Sequence, residues 1–315
     1  MTQPIGARMD KQSYRGIFVI VTTPFTEDHA LDEAGLHATL EFCLAAGVHG
    51  VVANALASEG LYLSEAERRR AAEIVVGAAK GKVPAIIAVS APHHSVAANH
   101  ARHAEAIGAD AVMALPPMLH PATPADIRTY YREISAATGL PLVLQNALGP
   151  GMTTMSAALI AELVEELPNA RFVKEESGYP AQTTGEIIRL AGDRLEGVMG
   201  GRAGKTFMEE LRHGVSGTMP ACEVADVHVA WWNAIEAKDD KRARTIFQRL
   251  LPLLDMESNY GMPLMKEVLK MRGVIGTTTT RQTGFRGLDA AAREEAATIM
   301  DDLTEFMLPQ YRHRR

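Results

Sequence analysis

The passage RFVKEES at 171–177 places one lysine and two glutamates where the surrounding pattern calls for a buried, apolar strand. Alternate side chains of a strand share a face, so Lys174 and Glu176 point one way and Glu175 the other. If Lys174 faces a barrel interior, burial lowers the pKa of its amine and makes it nucleophilic. Glu176 then lies beside it, one residue nearer the rim on that face, as a carboxylate proton carrier. The competing reading is a salt-bridged pair at a strand end with no chemistry, because structural ion pairs perturb such groups too.

Three further stretches carry polar residues just past an apolar run. LPLVLQN (140–146) ends in Gln145 and Asn146. Gln145 cannot transfer a proton but can orient a carbonyl, hydroxyl or water, and either residue can instead satisfy loop backbone. ANALASEG (53–60) sets small residues, including Ala57, before Ser58 and Glu59. That suits a turn whose N–H groups approach an anion such as a carboxylate, with Ser58 adding a hydroxyl; capping by Ser58 is the alternative. GGRAGKT (200–206) resembles a phosphate loop but fails on spacing, since position 199 is Met199 rather than glycine. Gly200 and Gly201 can still admit a polar or anionic ligand group. His93, His94, His100 and His103 cluster in sequence without a paired carboxylate, so no metal site is expected. There is no Gly-x-Ser-x-Gly elbow.

These residues need elements to hold them. Short apolar runs recur at 16–25, 49–56, 83–90, 111–117, 140–146, 171–177, 195–201 and 214–221. Runs apolar on both faces suit parallel strands covered by helices. Amphipathic stretches lie between them, with start signals at Asp32, at Ser64 with Glu67 as a capping box, at Ser95, at Thr123-Pro124, and at Thr153 or Ser156. The alternation predicts an α/β fold, a (β/α)8 TIM barrel spanning 14–236. The last two runs are Gly-rich and weak as strands. A doubly wound open sheet would alternate similarly, but VTTPF follows the first strand where a dinucleotide fingerprint would stand. Residues 237–315 read as a C-terminal extension of about three helices packed on the barrel, with TTTTRQTGFRG (277–287) its most loop-like part.

Bulk properties narrow the partners. The chain has 315 residues, 47% of them hydrophobic, and a formal charge of -6. Mild acidity argues against nucleic acid or an anionic membrane as the partner. Cys43 and Cys222 are expected to be buried free thiols. The first fifteen residues are polar and lack an apolar leader, and no run reaches the roughly 18 residues of a membrane span, so a cytoplasmic location is expected.

From Tyr14 to the final helix the chain resembles the dihydrodipicolinate synthase / N-acetylneuraminate lyase family. The resemblance rests on TPF (23–25), Glu59 followed by LYLSEAER, LPP (115–117), FVKEES around Lys174, and PLMKEVLKMRG (263–273). It implies a barrel with a C-terminal helical region, a homotetramer, and Lys174 as Schiff-base former with pyruvate or another 2-oxo acid. Two departures stand out. The family's Gly-Thr-Thr-Gly-Glu is Ala55-Leu56-Ala57-Ser58-Glu59 here, and its strand-five tyrosine is Gln145. The L-2-keto-3-deoxyarabonate dehydratase branch of the family shares these departures, and EIIRLAGDRLEG (186–197), LLPLLDMESNYG (250–261) and KMRGVIG (270–276) resemble it as well. That resemblance implies dehydration of a 2-keto-3-deoxy sugar acid with no metal or organic cofactor. A pyruvate-dependent aldolase, or a barrel that binds a 2-oxo acid without turnover, are the alternatives.

Overall fold

The structure is a computed structural model that describes residues 13–149 and 151–313. The polar stretch over residues 1–12 that we read as lacking a leader lies outside them. Eight parallel strands close into a barrel in chain order. They are β1 (Gly16–Ile20), β2 (Gly50–Ala53), β3 (Ala85–Ala88), β4 (Ala111–Ala114), β5 (Leu142–Ala147), β6 (Ala170–Glu176), β7 (Gly197–Gly200) and β8 (Gly217–Thr218). Every residue of β1 to β5 is buried, as strands packed on one face and helix-covered on the other must be. The expected (β/α)8 barrel is therefore the fold. The weak final run is a strand of two residues, because the glycines around it bring no side chains to pack.

Between the strands run α1 (Glu33–Ala45), α2 (Glu65–Ala79), α3 (His94–Ala106), α4 (Pro124–Ala137), α5 (Ala157–Glu166), α6 (Pro180–Ala191) and the single turn α7 (Phe207–Glu210). The start signals set most of their first residues. Asp32 caps α1, Ser64 and Glu67 form a capping box on α2, Thr123 and Asp126 form one on α4, and Ser156 caps α5. The exception is α3, which starts at His94 instead of after Ser95. Its cap is His93, whose Nδ1 accepts from the Ser95 backbone N–H, so an imidazole takes the role expected of a hydroxyl. After β8 come α8 (Ala225–Glu236), α9 (Asp240–Tyr260), α10 (Met262–Met271) and α11 (Ala290–Leu303). Among the described residues no helix is long and apolar enough to cross a membrane.

The described residues pack as two compact units, 13–15 with 84–149 and 151–219, and 16–83 with 220–313. In the first, the ladder registers align Gln145, Lys174, Met199 and Gly217 at one level of β5 to β8. One step on, they align Asn146, Glu175, Gly200 and Thr218. Register partners in a parallel ladder share a face and successive residues alternate. The Asn146 row meets the helix layer, since Asn146 bonds the backbone of Met155 ahead of α5 and Glu210 of α7 lies against Gly200. Lys174 therefore faces the barrel's inner side. Tyr14 braces this strand, its ring 4.3 Å from that of Phe172 and its hydroxyl donating to Val173 O at 3.2 Å.

In the second unit, α8 and α10 are tied by Arg272, whose guanidinium grips Asp226 through bonds of 2.9 and 2.6 Å. Residues 237–313 share this unit with β1 and β2.

Candidate active site

Strand β6 presents Lys174 and Glu176 on one face, with Lys174 Nζ 3.0 Å from Glu176 Oε1 and side-chain exposures of 3% and 12%. Gln145, beside Lys174 in β5, donates through Nε2 to the same Glu176 oxygen at 2.6 Å. The backbone N–H of Arg202 reaches Glu176 Oε2 at 3.3 Å. One carboxylate is thus held by an amine, an amide and a backbone donor, oriented on a rigid strand. Arg202, Ala203 and Gly204 have φ of 53°, 56° and 84°, three left-handed residues in succession that turn the chain after β7. Such backbone is costly for residues with a Cβ and here brings the Arg202 N–H to Glu176.

The glycines of this turn leave space for neighbouring side chains. A Cβ on Gly201 would lie 2.2 Å from Glu176 Oε2, and one on Gly200 would lie 1.9 Å from Glu210 Oε2. Each glycine leaves room for one carboxylate, on opposite faces of the chain. Asn146, expected beside Gln145 at the rim, has its amide engaged within the protein. Its Nδ2 donates to Met155 O at 3.1 Å and to Glu175 Oε2 at 2.8 Å, and its Oδ1 accepts from Met155 N at 2.7 Å. Both amide protons are committed on the helix side, one residue out of phase with Gln145. Glu175, its partner, also accepts from Ser177 N at 2.7 Å. Burial pushes Glu175 above the usual carboxylate range, against these hydrogen bonds.

In the second unit, the turn after β2 holds Ala57, Ser58 and Glu59. The N–H groups of Ser58, Glu59 and Gly60 close on carbonyls within the turn at 3.1, 2.9 and 3.1 Å, so they are not offered to a ligand. Those of Leu56 and Ala57 donate to nothing among the described residues, and Ser58 Oγ, buried, has no partner there either. The Ala57 methyl packs on Ala221, Met262 and Met265. Two adjacent N–H groups and a hydroxyl can together hold a carboxylate.

Glu59, expected as a substrate contact, has both carboxylate oxygens engaged within this unit. Lys266 Nζ of α10 lies 2.5 Å from its Oε2, and the backbone N–H groups of Arg281 and Gln282 reach Oε1 at 2.6 and 2.7 Å. Lys266 also donates to Thr279 O at 2.6 Å and sits 4.2 Å over the Phe25 ring; the Arg281 guanidinium lies 4.2 Å from the same ring. Burial pulls Lys266 down to about 8, opposed by Glu59.

The histidines do not converge. His93 and His94 lie with ring centroids 4.0 Å apart and planes tilted by 35° at the start of α3, and His100 is buried in that helix. Among the described residues no group of three or more His, Cys, Asp or Glu could hold a metal ion.

Sequence reasoning missed Glu210 and Lys266, although both left a signal. Each lies at helical spacing from apolar residues, Glu210 three after Phe207 and Lys266 four after Met262, so each is a charge on a buried stripe. Burial lifts Glu210 to about 7, with a Thr206 hydrogen bond opposing and the charges of Glu175 and Glu176 adding.

Residues 13–302 match the dihydrodipicolinate synthetase family. The chain belongs to that family. Among its relatives are an L-2-keto-3-deoxyarabonate dehydratase of Azospirillum brasilense, 31% identical over 85% of this chain and 88% of that protein. A 4-hydroxy-tetrahydrodipicolinate synthase of Methanothrix thermoacetophila is 30% identical over 93% of this chain and 99% of that protein. The crystal structure of dihydrodipicolinate synthase from Rhodopseudomonas palustris superposes with a TM-score of 0.86 at 26% identity, covering 95% of this chain and 100% of that one. As a member of the dihydrodipicolinate synthetase family, the chain is a lyase.

Proposed function

We propose that this lyase dehydrates a 2-keto-3-deoxy sugar acid through an imine on Lys174. The observation that carries the reading is the buried Lys174–Glu176 pair at 3.0 Å on the inner face of β6, with Gln145 fixing the carboxylate. The likeness to a keto-deoxy sugar acid dehydratase supports the choice of substrate.

Proton transfer from the Lys174 ammonium to Glu176 frees the amine, which adds to the C2 keto carbon. Glu176 returns that proton to the former carbonyl oxygen, which takes a second proton from the added nitrogen and leaves as water, and the protonated imine remains. The imine draws electrons from C3, so Glu176, now a carboxylate, removes a C3 proton and an enamine forms. The enamine expels the C4 hydroxyl, which takes the proton from Glu176 and leaves as the second water. Water then adds to C2, releasing the dehydrated acid and the lysine. Each positioned proton transfer of this kind contributes roughly 10²–10⁴-fold. Gln145, an amide where a phenol would shuttle protons, orients Glu176 and the departing hydroxyl.

Separately, we propose that the turn after β2 holds a carboxylate on the N–H groups of Leu56 and Ala57 and on the Ser58 hydroxyl, since these donors have no partner among the described residues. Ser58→Ala should then raise KM for a 2-oxo acid with little change in kcat, and an unchanged KM would sink that assignment.

Borohydride treatment across a panel of 2-keto-3-deoxy acids, read by mass spectrometry, tests the covalent step. Wild type should gain one ligand mass on Lys174, and Lys174→Ala should fold but gain none and lose turnover. Labelling at another lysine would overturn the mechanism. An aldolase outcome, which uses the same enamine, is the second reading, favoured by the relatives named as synthases. Pyruvate plus an aldehyde as products would select it over dehydration.

A further inference from the structure

Glu210 is a buried acid to which the mechanism above gives no task. It ends α7, is 0% exposed, and makes no ion pair among the described residues. Its Oε1 shares a hydrogen bond of 2.6 Å with Thr206 Oγ1, and its Oε2 has no partner among the described residues. That second oxygen fills the space left by Gly200, 1.9 Å from where a Cβ would be. Gly200 is the register partner of Glu175 in β6 and of Thr218 in β8, whose hydroxyl is likewise buried without a partner. Asn146, Glu175, the Glu210 carboxyl and Thr218 thus form a buried polar belt on the helix side of the sheet. It lies one residue out of phase with Lys174 and backs the segment that carries Lys174 and Glu176.

The two carboxyls of this belt are served unequally. Glu175 accepts from two N–H donors, Asn146 Nδ2 at 2.8 Å and Ser177 N at 2.7 Å. Glu210 has one hydroxyl. Burial penalises a carboxylate and hardly affects a carboxylic acid, and N–H donors offset the penalty only where they exist. The proton therefore belongs on Glu210. The charged groups around it are Glu175 and Glu176 of β6 and Arg202 of the turn after β7.

Resting on the Schiff-base reading, we propose that Glu210 is a positioning residue: as a neutral acid it keeps the back of β6 free of excess negative charge, and its ionisation switches off imine formation at Lys174. An ionised Glu210 would be a third negative charge beside Glu175 and Glu176. Extra negative charge favours ammonium over free amine, and only the free amine attacks a ketone. The elevation of Glu210 to about 7, caused first by burial, puts this ionisation within the working range of a lysine-imine enzyme.

The test pairs a ligand-free measurement with a kinetic one, on wild type, Glu210→Gln and Thr206→Val. In infrared titration without substrate, wild type should show protonated-carboxyl absorption that disappears near pH 7, to which Glu223 contributes as well; Glu210→Gln should lose the Glu210 share of it, and Glu223→Gln the remainder. In the pH profile of kcat/KM, wild type should fall on a limb near pH 7, by about tenfold per pH unit. Glu210→Gln should lack that limb, and Thr206→Val, having lost the bond that favours ionisation, should shift it to higher pH. Superimposable profiles, or no titrating band assignable to Glu210, would overturn the proposal. If Glu210→Gln does not fold, Thr206→Val and Glu210→Asp decide it by whether band and limb move together. Failure of the imine reading looks different, because wild type would then form no borohydride adduct at any pH while the band remained.

Discussion

Glu176 depends on a neighbour that has no side chain. Its carboxylate occupies the space beside Gly201, where a methyl group would sit 2.2 Å from Oε2 and 2.6 Å from the Glu176 Cβ. Gly201→Ala must therefore move the carboxylate, the strand or both. Overpacking of this kind costs about 1–3 kcal/mol. A displacement of about 1 Å in a proton carrier costs on the order of 10²-fold in rate. We expect kcat to fall by that order with a modest loss in denaturation midpoint; unaltered turnover would show that the Glu176 position is unimportant. The Lys174–Glu176 pairing was legible in the sequence because strand alternation is a strict geometric rule. The internal bonds of Asn146 and Glu59 were not legible, because a polar residue near a strand end reads the same whether it faces a ligand or braces a loop. What separates the cases is how many internal hydrogen bonds the polar group already makes, three for Asn146, two donated and one accepted, and three accepted by Glu59.

At the level of elements, apolar runs located all eight strands, and cap chemistry located most helix starts. Extents were less legible. The run 16–25 continues past the end of β1 as loop, since Thr22 and Thr23 spend their polar groups on Cys222 and on Ser58 O instead of on a ladder. Contacts distant in sequence were not legible at all. The fixing of the turn after β2 by α10 and residues 279–282 joins positions 207 and 222 residues apart. Lys266 and Glu59 have side-chain exposures of 0% and 0%. Removing one partner of such a pair leaves a buried, uncompensated charge and costs about 3–5 kcal/mol. Lys266→Met should lower stability by that amount, whereas the double variant Glu59→Gln with Lys266→Met should recover much of it. Chemical denaturation of the single and double variants measures this, and strict additivity of the two losses would refute the coupling.

Across the molecule, buried carboxyls reverse the usual acid response. Burial lifts both Glu210 and Glu223 to about 7 from 4.5, the value of an exposed glutamate. Between those values the folded state holds protons that the unfolded state has released. Stability from these groups is thus full below about 4.5, declines as pH rises to about 7, and is level above. The size is on the order of 3 kcal/mol for each group. Glu67, lowered to about 2 by its hydrogen bonds to Arg281, acts oppositely, and its contribution disappears only as pH falls below about 4.5. We expect the denaturation midpoint to be higher near pH 5 than near pH 8, and Glu223→Gln to narrow that gap. A midpoint that climbs from pH 5 to 8 would contradict this account.

Cys43 and Cys222 lie in the same unit, both 0% exposed, with Thr22 N–H directed at the Cys222 sulfur. A hydrogen bond to Cys222 and burial keep the Cys43 thiol protonated. A thiol-specific dye added to the native enzyme should therefore wait on opening events before it reacts. The rate of colour development then becomes a clock for breathing of this half of the molecule, built into the natural sequence and needing no introduced label.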